Sequence, residues 1–225
     1  MPNPRVLKLG GSLLLLPDWP QRLMTWLEDQ PAALNLLLVG GGKIVNAVRE
    51  LDTQHSFPAA FSHWLCIDLM SATARIAGQL LPACPLLTSP AELQQVLCGS
   101  RSSDFAGKMG QHSSRPAQWQ SLTFIVDVPC FYRAPTAIST QSADDSGLPL
   151  VACPLPESWD TTSDSLAAWL AIQVGATELV LFKSTAPVIG EQTPQAWVEQ
   201  AIVDAAFADV LPATLSVTIV NLLEP

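Results

Sequence analysis

Twice near its amino terminus the chain runs an apolar segment of strand length straight into a glycine turn. Val6-Leu7 passes through Lys8-Leu9 into Gly10-Gly11-Ser12, and Leu36-Leu37-Leu38-Val39 runs into Gly40-Gly41-Gly42, where a helical pattern opens. A continuous apolar run carries no alternation, so both of its faces must be covered, and that is the signature of a parallel sheet with helices on each side. The rest of the chain repeats the scheme. Strands are expected near Val6–Leu9, Leu36–Val39, Leu122–Val126, Leu150–Cys153, Leu179–Phe182 and Leu215–Val220. Helices are expected near Trp19–Glu28, Ile44–Leu51, Phe61–Leu81, Pro90–Leu97, Asp164–Val174 and Pro194–Phe207. Leu166, Trp169, Leu170 and Val174 fall at helical spacing and predict one buried stripe. The expected fold is a single-domain three-layer α/β/α sandwich with a mainly parallel central sheet.

At 225 residues, 48% of them apolar and 14% charged, the chain has ample material for one α/β core. Its net charge of −9 argues against nucleic acid or an anionic membrane as a partner. No apolar run approaches the roughly 18 residues of a membrane span. The segment from Arg5 to Leu16 lacks a signal-peptide cleavage site, and its Gly-Gly-Ser reads as a turn. Cys66, Cys84, Cys98, Cys130 and Cys153 are scattered, which predicts buried free thiols in a reducing, cytoplasmic setting. His55, His63 and His112 show no ligand spacing, so no protein-held metal is expected; Mg2+ carried in by a nucleotide is compatible. Two polar stretches, Gly99–Gln120 and Ala134–Gly147, are longer than ordinary connections and read as flaps over a site or as disordered loops. The first gathers Arg101, Lys108 and Arg115, three of the eleven basic residues of an acidic chain, which a solvated loop would account for.

The glycine turns carry the first chemical signal. A turn leaving the carboxyl end of a parallel strand presents backbone N–H groups to the crevice where such sheets bind ligands, and glycine lets a phosphate come close. Lys8 stands two residues before the first glycine, although the pattern is not that of a P-loop. In the second turn Lys43 is expected to open the helix, pointing into water. The segment Thr161-Thr162-Ser163-Asp164 suits a helix N-cap with an aspartate in the first turn. One βα unit later Lys183 ends a strand at the same sheet edge as Lys8. A carboxylate between two lysines would hold them facing a transferring phosphoryl group, whose charge must be neutralised in the transition state.

The stretches VLKLGGSLL (6–14), LLLVGGGKIVNAVREL (36–51) and TTSDSLAAWLAIQVGATELVLF (161–182) resemble the amino acid kinase family, which includes acetylglutamate, aspartate and uridylate kinases. Ser62-His63 with the helix behind it, and Ser158-Trp159 ahead of Thr162-Ser163-Asp164, are most similar to one branch. That branch is the archaeal-type 5-(aminomethyl)furan-3-yl-methyl phosphate kinase of methanofuran biosynthesis, with bacterial relatives in one-carbon metabolism. The resemblance implies ATP as donor, Mg2+ travelling with it, and a small-molecule acceptor that is itself a phosphate monoester. It implies catalytic roles for Lys8, Asp164 and Lys183, and contacts from Gly10, Gly11, Ser12 and Ser184 to the nucleotide phosphates. Gly40, Gly41, Gly42, Asn46, His63, Thr162 and Ser163 would border the acceptor, and Arg101 or Arg115 would meet its phosphate.

The chain departs from the family after the fifth expected strand. Lys183-Ser184-Thr185-Ala186-Pro187 stands where the family reads Thr-Asp-Val-Asp-Gly, and no Lys or Arg follows Lys183, so the role of the family's second phosphate lysine falls to Lys183, to an upstream residue or to none, with Lys183 favoured. Two alternatives stay open beside the phosphomonoester kinase: a catalytically degenerate fold that binds a metabolite or partner, and a carboxylate kinase of the acetylglutamate or aspartate type. The apolar helix at Trp64–Leu81 is either an interface for a homo-oligomer or a buried core helix.

Overall fold

Parallel pairing runs through the whole sheet. The computed structural model describes residues 3–99, 122–133, 154–185 and 193–224. Within them lie β1 (Pro4–Leu9), α1 (Trp19–Glu28), β2 (Leu34–Val39), α2 (Gly42–His55), α3 (Ala59–Leu80), β3 (Leu86–Leu87) and α4 (Pro90–Leu97). After these come β4 (Leu122–Val126), α5 (Ser163–Gln173), β5 (Glu178–Lys183), α6 (Pro194–Glu199), α7 (Phe207–Val210) and β6 (Ser216–Asn221). The strand order is β3-β4-β2-β1-β5-β6, and every pairing is parallel.

The period of two along each strand sorts the core into two layers. Val6, Leu36, Leu38, Leu179 and Leu181 face the layer that holds α5, with Leu166 and Leu170. Leu7, Leu9, Leu37, Val39, Val180 and Phe182 face the layer that holds α1, with Trp19, Leu23 and Leu27. From β1 the chain crosses to β2 on one side, and from β4 it later returns past β2 and β1 to β5 on the other. Right-handed crossovers in opposite directions put α1 and α5 on opposite faces. The sheet therefore reverses direction at β1, and the crevice outside its carboxyl end is where a ligand of such a sheet binds.

Most expected elements stand where the sequence puts them, with four differences. The helix at α5 is not buried along one stripe: every residue from Ser163 to Ala171 is buried, because it lies between the sheet and α7. Ala167, Ala168 and Ala171 let neighbours approach it on the sides where the stripe model expects water. The helix expected over Pro194–Phe207 is two short ones, broken at Ala201, whose φ is 54°. The strand β3 has only two residues and was not expected. Among the cysteines, Cys84 and Cys130 are buried free thiols as expected, whereas Cys66 is half-buried and Cys98 is exposed. Leu150–Cys153, the polar stretches 100–120 and 134–147, and Arg101, Lys108 and Arg115 lie outside the described residues. Helix α3 turns Ile67, Met70, Ala74 and Ala77 inward and leaves Phe61, Ile76 and Leu80 exposed. Among the described residues no helix is long and apolar enough to cross a membrane.

The two glycine turns meet backbone to backbone above β1 and β2. A Cβ on Gly11 would lie 2.1 Å from the nitrogen of Gly42, and one on Gly42 would lie 2.3 Å from the oxygen of Gly11. Gly42 also has a φ of +56°, which side chains disfavour. Gly42→Ala is expected to cost about 2–5 kcal/mol, the sum of left-handed strain and overpacking, read as a lower denaturant midpoint in chemical unfolding.

Candidate functional site

Strand parity aims the central charges. Lys8 shares a face with Val6, and Lys183 shares a face with Leu179 and Leu181, so both lysines project into the α5 layer. The first turn of α5 ends over the same edge and delivers Asp164. Lys8 Nζ lies 2.8 Å from Asp164 Oδ1, and Lys183 Nζ lies 2.7 Å from Asp164 Oδ2. The three side chains expected to meet do meet, and they are almost wholly buried, at 4%, 7% and 13% exposure for Lys8, Asp164 and Lys183.

Two ammonium groups share one carboxylate, so the cluster carries a surplus positive charge in a poorly solvated place. Burial works to raise the Asp164 pKa, but the charges of Lys8 and Lys183 together hold it below the usual carboxylate range. Burial and the charge of Lys8 push Lys183 down to about 8, against the pull of Asp164. The donors are spent unequally. Lys183 donates to Asp164 and also to the carbonyl oxygen of Ile202 at 2.6 Å. The Lys8 ammonium, by contrast, has Asp164 as its one partner among the described residues, which leaves part of its three-donor capacity for an anion arriving at this edge.

A residue that sequence reasoning missed holds the carboxylate helix in place. Asp204, in the break between α6 and α7, accepts from the backbone N–H of Thr162 at 3.0 Å and of Ser165 at 3.1 Å. It also accepts from the hydroxyls of Thr162 and Ser165. Thr162 is thus the positional N-cap of α5, as the sequence suggests, but a distant carboxylate satisfies the exposed amides in its stead. Burial and the nearby charge of Asp164 raise the Asp204 pKa, while its hydrogen bonds oppose the rise. No local signal marks it; a Val-Asp-Ala triplet inside an expected helix reads as surface.

The glycine turns divide their amides between structure and site. Gly10 N–H donates to Phe182 O at 2.8 Å and Gly40 N–H to Leu9 O at 2.9 Å, so these two lock the turns to neighbouring strands. The next amides, at Gly11 and Ser12, open a 3-10 turn and lack partners within it. Ser12 and Ser184 pair their hydroxyls at 3.2 Å across the ends of β1 and β5. Beside this edge lies a cavity of about 400 Å³. It collects Ser12, Gly41, Gly42, Asn46, His63, Thr162 and Ser163 from the expected site, while Gly40 is buried beneath it. Lys43 lines it too, at the second position of α2 because that helix begins at Gly42.

His63 is a wall of this cavity. Nε2 lies 2.8 Å from the Tyr132 hydroxyl, and the ring also bonds the backbone of Ser158. Burial lowers its pKa, against the pull of the Ser158 bond and the Glu157 charge. The bond to Tyr132 ties α3 to the segment after β4, which is a supporting task. The sequence also missed Arg49, whose guanidinium lies 4.7 Å over the Trp159 ring at the cavity wall.

Together these groups form an anion-accepting edge: paired lysines, free amides and an adjoining pocket of small-molecule size. Among the described residues there is no group of His, Cys, Asp and Glu that could hold a metal, and Asp164 and Asp204 are committed to lysines and amides. The buried pair also makes an asymmetric stability prediction. Asp164→Asn leaves two lysines facing each other without a counter-charge and should cost about 3–5 kcal/mol, whereas Lys8→Met leaves a neutral pair and should stay within about 1 kcal/mol, both by denaturant unfolding.

No protein-family model matches the sequence, and no curated protein matches it significantly. Solved structures do match the fold. It is similar to UMP kinase from Ureaplasma parvum, at TM-score 0.59 and 12% identity over 100% of this chain and 92% of that one. UMP kinase from Bacillus anthracis matches at TM-score 0.55 and 11% identity, over 100% and 89%. Uridylate kinase from Archaeoglobus fulgidus matches at 0.51 and 13%, over 97% and 90%. A six-stranded parallel sheet reversing at β1, flanked by helices on both faces, gives this chain an amino acid kinase-like fold.

Proposed function

We propose that this protein is an ATP-dependent kinase of the amino acid kinase type, and that its acceptor is a small phosphomonoester. The observation that carries the reading is the buried Lys8 ammonium, paired with Asp164 alone among the described residues, at the reversal edge of the sheet. An acceptor oxygen would attack the γ-phosphorus of ATP, the bond to the bridging oxygen would break, and ADP would leave. Lys8 and Lys183 would neutralise the equatorial oxygens, with Asp164 keeping the two cations apart and aimed. Amides of Gly11 and Ser12, and the Ser12–Ser184 hydroxyl pair, would meet the nucleotide phosphates. The cavity walled by Gly41, Gly42, Asn46 and Ser163 would hold the acceptor. Mg2+ would travel with the nucleotide, since among the described residues no carboxylate at this edge is available to ligate it, and no step is assigned to it.

The acceptor class follows from charge. Lys43 and Arg49 line the cavity, which suits an anion, and uridylate, the substrate of the similar structures, is a phosphomonoester as well. The furan-type phosphate suggested by the sequence resemblance belongs to the same chemical class and would place the protein in one-carbon or furan cofactor synthesis in the cytoplasm, where free thiols such as Cys84 and Cys130 persist. A second reading, binding without turnover, has one observation in its favour: Lys183 is already held by Asp164 and Ile202.

Calorimetry with the non-hydrolysable analogue AMP-PNP and Mg2+ tests the donor site, and absence of binding at millimolar analogue would defeat the kinase reading. Turnover is then sought with UMP and other phosphomonoesters beside acidic amino acids; only the first group is expected to react. Lys8→Met should keep the fold and lower kcat at least a thousandfold, a loss of about 4 kcal/mol of transition-state stabilisation. The rate should also depend on alkaline pH. Because Lys183 titrates at about 8, it is charged below that value and neutral above it. The ratio kcat/KM for ATP should therefore fall with a midpoint near pH 8, as measured in a pH–rate profile.

A further inference from the structure

Arg49 sits where a surface arginine has an obvious partner and does not use it. Asp52 is three residues further along α2, within reach of an ion pair on the same helix face. Both of its oxygens are taken elsewhere: Oδ2 accepts from Trp159 Nε1 at 2.5 Å, and Oδ1 accepts from the backbone N–H of Phe57 at 2.8 Å. The indole held in this way lies under the guanidinium, 4.7 Å from ring centroid to Cζ. Arg49 makes no ion pair and no side-chain hydrogen bond among the described residues. Aspartate thus fixes the aromatic platform, the platform fixes the plane of the guanidinium, and the planar fork of donors is left free.

The fork has a defined place relative to the chemistry. Gly42, Val45, Asn46 and Arg49 follow helical spacing along α2 and line the cavity together. Gly42 touches Gly11 at the edge beside Lys8, and seven residues of helix put Arg49 about 10 Å further out. Beyond the pair, Arg49 and Trp159 also border an outer groove of about 560 Å³ with Thr53, Ser56, Phe57 and Asp52, whose carboxylate is the one bound to the indole and to the Phe57 amide. The pair therefore stands at the mouth of the cavity, at the far end from phosphoryl transfer.

We infer that Arg49 and Trp159 form a second recognition subsite, which reads an anionic group, carboxylate or phosphate, on the acceptor's end remote from the transferred phosphoryl group. This rests on the kinase reading above and narrows its substrate class to acceptors with two anionic ends. The fork binds the distal oxygens side by side and the indole keeps it from swinging into solvent, so selectivity depends on a planar cation and not on charge alone.

Three probes of one chain length separate the possibilities: sorbitol 6-phosphate, 6-phosphogluconate and sorbitol 1,6-bisphosphate. They carry no second anion, a distal carboxylate and a distal phosphate respectively. Their affinities are measured by calorimetry on the whole protein saturated with AMP-PNP and Mg2+. At least one of the two-ended probes should bind tenfold or more tighter than sorbitol 6-phosphate, and which of the two does so identifies the distal group. Arg49→Met should remove that preference, and Arg49→Lys should restore only part of it, because an ammonium keeps the charge but not the fork. Arg49 is exposed, and an unchanged unfolding midpoint will show that each variant is folded. Equal binding of all three probes, no binding of any, or a preference that survives Arg49→Met would overturn the inference. Failure of AMP-PNP to bind would instead strike the kinase reading.

Discussion

The two oxygens of Asp164 are divided between lysines that arrive on different strands, and the arrangement of this sheet edge depends on that division. Lys8 comes from the central strand, Lys183 from its neighbour, and the carboxylate from the helix laid across both. A buried charge is costly unless it is paired, so both lysines require the carboxylate, and the carboxylate requires at least one lysine, to be in place. Because the count is two positive to one negative, the pairing is incomplete by design of the sequence. Among the described residues the remaining charge has no protein partner at this edge, and it is largely shut off from water, where a charge is screened less than on a surface.

That edge is held from behind by the break between α6 and α7. Two residues there perform two tasks. The carbonyl of Ile202 takes a second hydrogen bond from Lys183, and the carboxylate of Asp204 takes the amides and hydroxyls at the start of α5. If the helix continued, the Ile202 carbonyl would be committed to its own helical ladder. The irregular backbone at Ala201 therefore belongs to the site, although it lies far from the glycine turns in the sequence.

How far the sequence could be read depended on whether each feature is local. The parallel layers were legible because apolar runs ending in glycine admit few other folds. Lys8, Asp164 and Lys183 were legible because strand ends of a parallel sheet share one edge, and each of the three stands next to a recognisable strand end or helix start. Gly10 and Gly40 were legible as turn residues, yet their amides hold strands together, a distinction that depends on the partner carbonyl and not on the residue type. What escaped was non-local. Asp204 caps a helix that begins 42 residues earlier, and Trp159 meets an aspartate 107 residues away. The all-round burial of α5 escaped for a similar reason, since α7 covers its outer side and nothing within α5 announces that cover.

The alternation of side chains along β1 has a consequence for how chains of this kind can diverge. Lys8 reaches Asp164 only because it stands an even number of residues from Val6 on one face of the sheet. Gain or loss of a single residue inside that strand would turn the ammonium toward the α1 layer and bury it among leucines. Length variation among descendants should therefore collect between elements and spare the interiors of β1 and β5, even where the identities of the surrounding apolar residues drift freely.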